Sequence, residues 1–322
     1  MNRRSGFHGP LAREMEAFIA GKRMQGYDYT DQALTLSYFD RFLAAAGHRS
    51  DAACLTADIL RRYVATTDTL AAYSRRTRIA SLREFSRWLH ARCSRSAVLP
   101  LDILPRCGYR VRFFPINSGQ VAALMAAAPA VLPAGGMRAR SIATLIGLLY
   151  CTGLRIAEAL KLTPRDIAAD GSTLHVLRGK FGRERFVPIT AGTYSVLAEY
   201  LAVRGRHAAG GDSSPLFIAA GGAGLTRNQV YQDYHRLCRH CGIWGQPPPR
   251  LHDLRHNYAC RRLALWREEG RDVNAMLPIL ATAMGHTGFY ATQCYLHLDA
   301  LALQAAAARF NVHVLSHGKA PS

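Results

Sequence analysis

The chain has 322 residues, 49% of them hydrophobic, and carries a formal net charge of +19 with an isoelectric point near 10.1. That is enough apolar material for two ordinary cores, and the basic excess points to a polyanionic partner rather than an acidic one. No apolar stretch reaches the roughly 18 residues that a membrane span requires, and residues 1–23 contain no long apolar run of the secretory kind.

The charge is spread along the chain. Residues 1–112 hold 19 basic and 10 acidic side chains, and the remainder holds 22 and 12. Both halves are therefore basic, which suits a protein gripping DNA from two sides. The eight cysteines are irregularly spaced, so a disulfide framework is not expected. His235, Cys238, His240 and Cys241 form a local cluster with His252 and His256 downstream. Cys238 and Cys241 have zinc-knuckle spacing, but no second Cys-x-x-Cys pair exists, so no metal site is expected.

Taken in order, residues 1–20 should be frayed and then helical. Residues 34–46 have Leu36, Phe39, Phe42 and Leu43 on one side of a helix. Thr56 is placed to cap a short helix running to Val64. A further helix over residues 75–92 keeps Ile79, Leu82, Phe85 and Leu89 at helical spacing, with Arg75, Arg76, Arg78, Arg83 and Arg87 around them. Residues 1–97 thus read as an all-helical unit whose arginines are candidates for DNA phosphate contact. For any single arginine, a solvated charged face is the simpler account. Pro100, Pro105 and Pro115 interrupt residues 98–115, which read as an interdomain linker with Arg106, Arg110 and Arg112 available to a nucleic acid backbone.

The second unit, residues 116–322, begins with a helix over residues 118–128 ended by Pro129, then an apolar helix over 140–150. Thr152-Gly153 breaks the chain and Leu154 starts a new helix. Arg155 and Glu158 stand three apart on it and can pair. Thr163-Pro164 has the form of an N-cap and first helical position. Residues 173–189 carry the clearest β signal, a hairpin with Lys180 at its tip. Helices are expected over 194–203, 226–241 and 254–266. A short strand-like piece spans 216–218, and a last alanine-rich helix spans 300–310. The fold class is mainly α with a small β hairpin.

Six residues then stand in order: Arg155, Lys180, His252, Arg255, His286 and Tyr295. Two guanidiniums, an ammonium, two imidazoles and a phenol suit stabilising a phosphate while the phenol attacks it. Thr152-Gly153-Leu154-Arg155-Ile156-Ala157-Glu158, Gly179-Lys180 with Arg185-Phe186-Val187-Pro188, Leu251-His252-Asp253-Leu254-Arg255-His256, Met284-Gly285-His286 and Tyr295 together resemble the tyrosine recombinase, or phage integrase, family of site-specific DNA recombinases. The likeness extends to transposon- and plasmid-borne members, since His286 follows Arg255 by 31 positions, more than in many members. It spans residues 152–295. The helical first half looks like the family's core-binding domain by position and class only.

The resemblance implies Tyr295 as nucleophile forming a 3′-phosphotyrosyl bond, with Tyr290 a rival by proximity alone. It implies Arg155 and Arg255 on the nonbridging oxygens, His252 accepting the phenolic proton or bonding the phosphate, and His286 bonding the phosphoryl oxygens. Lys180 would be the general acid and Glu158 would orient the others. Arginines supply the charge a metal would bring, and the covalent bond conserves the phosphodiester's energy, so no metal and no nucleotide cofactor is expected. The implied partner is a double-stranded recombination site, bound by a homo-tetramer that is monomeric or weakly associated when free, in a bacterial cytoplasm at the nucleoid. Two other readings stay open: a topoisomerase-like nicking enzyme, and a DNA-binding regulator that has lost catalysis.

Overall fold

The structure, a computed structural model, describes residues 6–48, 54–105, 113–133, 136–177, 184–207, 211–286, 292 and 295. It divides into two compact units, Met1–Arg110 and Val111–Ser322. The first is helical: α1 (Ala12–Met24), α2 (Thr30–Ala45), α3 (Ala57–Ala65) and α4 (Ala72–His90). Leu11, Met15, Phe18, Leu36, Phe39, Leu43, Leu60, Ile79, Leu82, Phe85 and Leu89 form its core. Phe18 meets Tyr29, Phe85 and Trp88 edge-on with centroids 5.6–5.7 Å apart, the arrangement that aromatic quadrupoles favour.

Several boundaries differ from the sequence reading for identifiable reasons. Helix α2 begins at Thr30 because its buried stripe begins at Ala33, whereas Leu34 faces outward. Thr56 does cap α3, its side chain accepting the Ile59 N–H. Within the segment read as linker, Leu99, Ile103 and Leu104 pack on the helical core, while Phe113 and Phe114 pack in the second unit.

The second unit is built on α6 (Met137–Thr152), which is buried along most of its length. Around it lie α5 (Ser118–Val131), α7 (Ile156–Ala159), α8 (Ala191–Arg204), α9 (Arg227–His240), α10 (Leu251–Glu268) and α11 (Val273–Met284). Strands β1 (Thr173–Val176) and β2 (Arg185–Pro188) form the expected antiparallel hairpin, with Leu174 opposite Val187. Its tip, with Lys180, lies outside the described residues, as do the expected helix over 300–310 and the Arg106, Arg110 and Arg112 positions.

Pro129 does not end α5. It sits in the last turn, where the missing N–H removes one bond, and the Leu132 N–H still reaches the Ala128 carbonyl at 3.1 Å. Residues 216–218 form no ladder beyond a single bridge between Ile218 and Gly224. The buried Arg204 guanidinium donates instead to the carbonyls of Ser214, Pro215 and Leu216. None of the described helices is long and apolar enough to cross a membrane.

Two further differences shape the site. Helix α10 starts at Leu251, three residues earlier than its apolar period, because the Asp253 carboxylate accepts both the N–H and the guanidinium of Arg250 at 2.7 Å. Helix α11 has no counterpart in the sequence reading. Asp272 caps it and Leu277, Leu280 and Met284 form its buried face, but Pro278 interrupts the pattern.

Asn257 on α10 anchors the chain entering this unit. Its side chain accepts the Ile116 N–H at 3.1 Å and donates to the carbonyls of Phe114 and Asp253 at 3.2 and 2.7 Å. Asn257→Ala strands a buried donor and two acceptors, so it should destabilise the protein by about 1–3 kcal/mol. The loss should appear as a lowered melting temperature of the full-length chain, and an unchanged melt would show that water satisfies these groups.

Candidate active site

The chain breaks after α6 at Gly153, which is left-handed (φ 64°). A Cβ there would run into the Tyr258 ring. The break brings Arg155 to the start of α7, as its cap rather than in its first turn. Arg155 donates its backbone N–H to Glu158 Oε2 at 2.9 Å and its guanidinium to Oε1 at 2.8 Å. The predicted pair therefore exists, and the same carboxylate receives two bonds from Arg185 on β2, at 2.9 and 3.2 Å. Burial raises the Glu158 pKa, but the Arg185 and Arg155 hydrogen bonds and charges outweigh it and bring it down to about 2.

Helix α11 ends in a Schellman turn. Gly285 is left-handed (φ 65°), its N–H bonds the Thr282 carbonyl, and the His286 N–H bonds that of Ala281. That leaves the carbonyls of Ala283, Met284 and Gly285. Arg185 Nε donates to Ala283 at 2.9 Å, Arg255 to Met284 at 2.7 Å, and Arg155 to Gly285 at 2.7 Å. The second outer nitrogen of Arg255 donates to the Gly153 carbonyl at 2.6 Å. Three cations thus gather at the negative end of α11, joining it to α6, α7, β2 and α10. Gly285 is required twice over, since a Cβ would also lie 2.8 Å from the Arg185 guanidinium.

Arg255 is 1% exposed. Burial first, then Arg155, lowers its pKa to about 10, so it stays charged at neutral pH. His252 is exposed on the outer side of α10 while Arg255 points inward, so their spacing of three places them on neighbouring faces rather than one. The neighbour of His252 is His256, its ring perpendicular at 4.6 Å. His256 in turn lies 5.4 Å from the Tyr295 ring, which stacks on His286 at 6.1 Å. His286 Nδ1 meets Thr292 Oγ1 at 2.7 Å.

Burial, then Arg255 and Arg155, pushes His286 down to about 3. Burial, then Arg250 and Arg255, pushes His256 down to about 4. His252 is lowered too, by the protein packed around it and then by His256, Arg255 and Arg250. All three imidazoles are neutral at pH 7. Tyr295 is 1% exposed, packed with Ala259, Leu263, Trp266, Leu277, Leu280 and Met284.

Arg155, Glu158, His252, Arg255, His286 and Tyr295 thus converge, while Lys180 and Tyr290 lie outside the described residues. Sequence reasoning missed Arg185, His256 and Thr292 as participants. Arg185 stood within a quoted motif, but its partner Glu158 is 27 positions away, a distance no local pattern reveals. Among the described residues no three His, Cys, Asp or Glu side chains converge as a metal site. Cys238 is a core thiol pushed up to about 12 by burial.

The candidate DNA-contact arginines of the first unit are variously engaged. Arg75 pairs with Asp68 at 2.6 Å, and Arg76 donates to the Pro105 carbonyl at 2.8 Å. Arg78 covers the Tyr38 ring at 3.9 Å. Arg83 is half-buried.

Because the folded-state pKa of Glu158 lies below the ordinary carboxylate value, its stabilisation is present above about pH 5 and is lost as pH falls towards 2. Glu158→Gln should therefore cost on the order of 2–3 kcal/mol at pH 7. The difference from wild type should shrink in denaturation curves taken down to pH 3. A constant gap would mean that the ion pairs do not hold the site together.

The phage integrase family matches residues 116–301 of this chain. The chain is 30% identical over 301 residues to integrase/recombinase y4rE of Sinorhizobium fredii, covering 92% of this chain and 94% of that protein. It is 31% identical over 293 residues to tyrosine recombinase XerC of Pelobacter propionicus, covering 90% and 89%. Its fold is similar to that of XerH site-specific recombinase in a post-cleavage complex with palindromic difH substrate (TM-score 0.63, 20% identity, 87% of this chain and 79% of that one). It is also similar to the Tn1549 transposon integrase bound to transposon right end DNA (TM-score 0.62, 16% identity, 92% and 99%). An arginine-gripped turn beside a buried tyrosine, set in this mostly helical fold and matched along the sequence, makes this chain a member of the phage integrase family of tyrosine recombinases.

Proposed function

We propose that the protein is a site-specific recombinase that cuts and rejoins double-stranded DNA through a covalent bond between Tyr295 and a 3′-phosphate. The observation that carries this reading is the convergence of Arg155, Arg255, His286 and Tyr295 on one turn, although they span 140 positions of the sequence. The surplus of guanidinium over carboxylate there suits a phosphodiester.

In this scheme Tyr295 attacks phosphorus, the bond from phosphorus to the 5′-oxygen breaks, and that oxygen takes a proton. Arg155 and Arg255 bind the nonbridging oxygens with N–H groups beyond those already on carbonyls. A free phenol has a pKa near ~10, so its ionisation at pH 7 costs about 4 kcal/mol. The cations offset part of that cost, and the neutral, exposed His252 accepts the proton. His286 bonds a phosphoryl oxygen, and Lys180 donates the proton to the departing 5′-oxygen. Glu158 and Arg185 position the arginines rather than touch DNA. Tyr295 must leave its buried position to meet phosphorus, which makes cleavage depend on bound DNA. Rejoining reverses each step, with a 5′-hydroxyl attacking the phosphotyrosine, so no nucleotide cofactor is needed.

The basic first unit grips the phosphates, with Arg75, Arg76, Arg78 and Arg83, and with Arg110 and Arg112 in the connecting segment. The exposed face of α9 adds Arg227, Asn228, Gln232, Arg236 and Arg239, donors of the kind that reach phosphates and base edges. On its site the protein acts as a homo-tetramer, and the free protein is a monomer or weak oligomer. The setting is a bacterial cytoplasm, at the nucleoid.

A nicked suicide substrate tests the chemistry. Wild type and Tyr290→Phe should give a covalent protein–DNA adduct on a denaturing gel, and Tyr295→Phe should bind DNA and give none. An adduct from Tyr295→Phe would sink the assignment, and an adduct without two-site strand exchange would favour a nicking enzyme instead. Lys180→Ala should cleave ordinary DNA slowly and recover on DNA with sulfur at the bridging 5′ position, whose leaving group needs no proton. Equal defects on both substrates would exclude Lys180 as the acid.

A further inference from the structure

His256 touches both the buried tyrosine and the solvent-facing imidazole. It lies one helical turn after His252 on α10. Its ring meets the His252 ring perpendicularly at 4.6 Å and the Tyr295 ring at 5.4 Å. Phe113 braces it edge-on at 6.3 Å. Tyr295 is 1% exposed and His256 8%, while His252 is exposed. The three side chains therefore make a continuous path from the core of the second unit out to water.

An imidazole buried at this position needs a reason. Its Nδ1 is sealed from solvent and has no hydrogen-bond partner among the described residues. A phenylalanine would fill much the same space without leaving a polar atom unpaired, which costs free energy. The other imidazole on Tyr295 is differently placed, since the Nδ1 of His286 is engaged by Thr292 at 2.7 Å. Burial, with Arg250 and Arg255 nearby, keeps His256 neutral, so one ring nitrogen carries hydrogen and the other can accept. Tyr295 presents the complementary difficulty. A phenol packed out of reach of water has no solvent to take its proton, and His256 is in contact with both it and His252.

We propose that His256 relays the phenolic proton from Tyr295 to His252 during cleavage. This rests on the recombinase reading above and adds a residue to it. As Tyr295 departs for phosphorus, its O–H bond breaks and the proton joins one ring nitrogen of His256. The other ring nitrogen gives its proton to His252, which ends as the imidazolium. His256 is left neutral in the opposite tautomer. The negative charge of the bound phosphodiester favours the positive charge that passes along the two imidazoles. Rejoining runs the transfers backward, from His252 through His256 to the phenolate oxygen leaving phosphorus, and restores the first tautomer. Protons balance at each stage, and no co-reactant is needed.

Single-turnover cleavage of the nicked suicide substrate tests the relay, beside gel-shift binding and thermal melting of the same full-length variants. His256→Phe keeps a ring and removes both nitrogens. His256→Gln keeps hydrogen bonding but cannot take up a proton at neutral pH. Both should bind DNA as wild type does and form the adduct about 100-fold more slowly, with His256→Phe melting no lower than wild type. In His256→Ala, added imidazoles should restore cleavage, and the more basic ones should restore it faster. Adduct formation at the wild-type rate by His256→Phe or His256→Gln overturns the relay. So does a loss of cleavage matched in both variants by a loss of binding or a lowered melt, which would make His256 a packing residue. Rescue that follows the size of the added imidazole and not its basicity overturns it as well. Absence of any adduct from wild type overturns the recombinase reading itself, and the relay with it, so the two failures are told apart by the wild-type lane.

Discussion

Three successive carbonyls, of Ala283, Met284 and Gly285, each accept from a different arginine: Arg185, Arg255 and Arg155. A helix end leaves such carbonyls unsatisfied and partially negative. Cations from β2, α10 and the start of α7 satisfy them together, and that single arrangement joins five elements of the second unit. Glu158 lies behind it, accepting from both Arg155 and Arg185. The same guanidiniums that build the turn are those proposed to receive the phosphate, so the site is assembled before its ligand arrives, as electrostatic preorganisation requires.

The charge at this turn also governs the imidazoles. His286 and His256 are neutral because burial and the nearby arginines oppose a further positive charge. A phosphodiester entering among them would reverse part of that opposition, since its negative charge favours protonation of a neighbour. The histidines therefore suit accepting and returning a proton while DNA is bound, and adding no repulsion while it is absent. Tyr295 is packed beneath them with Leu263, Trp266 and Leu280, where water cannot reach the phenol.

The first unit shows that arginine content and arginine function are separate matters. Arg75, Arg76 and Arg78 already have partners in Asp68, the Pro105 carbonyl and the Tyr38 ring. Such contacts hold flexible side chains in place, which lowers the entropy they lose on meeting a phosphate. They also let the helical unit carry its basic excess without like charges crowding.

Much of this protein follows from sequence alone. Helical spacing of Ile79, Leu82, Phe85 and Leu89 was enough for α4, Thr56 for the start of α3, and alternation around Leu174 and Val187 for the hairpin. These are local signals, set by residues within a turn or two of one another. The order Arg155, His252, Arg255, His286, Tyr295 was legible through the motifs it shares with the phage integrase family, which those residues occupy in sequence. Tertiary structure alone decided the rest. Helix α11 was hidden by Pro278 and exists because Leu277, Leu280 and Met284 are buried against α10. Arg185 gained its role from a carboxylate 27 positions away and a helix end 98 positions away. The buried state of Tyr295 depends on side chains from α10 and α11 closing over it, and a contact between distant elements leaves no periodicity in either one.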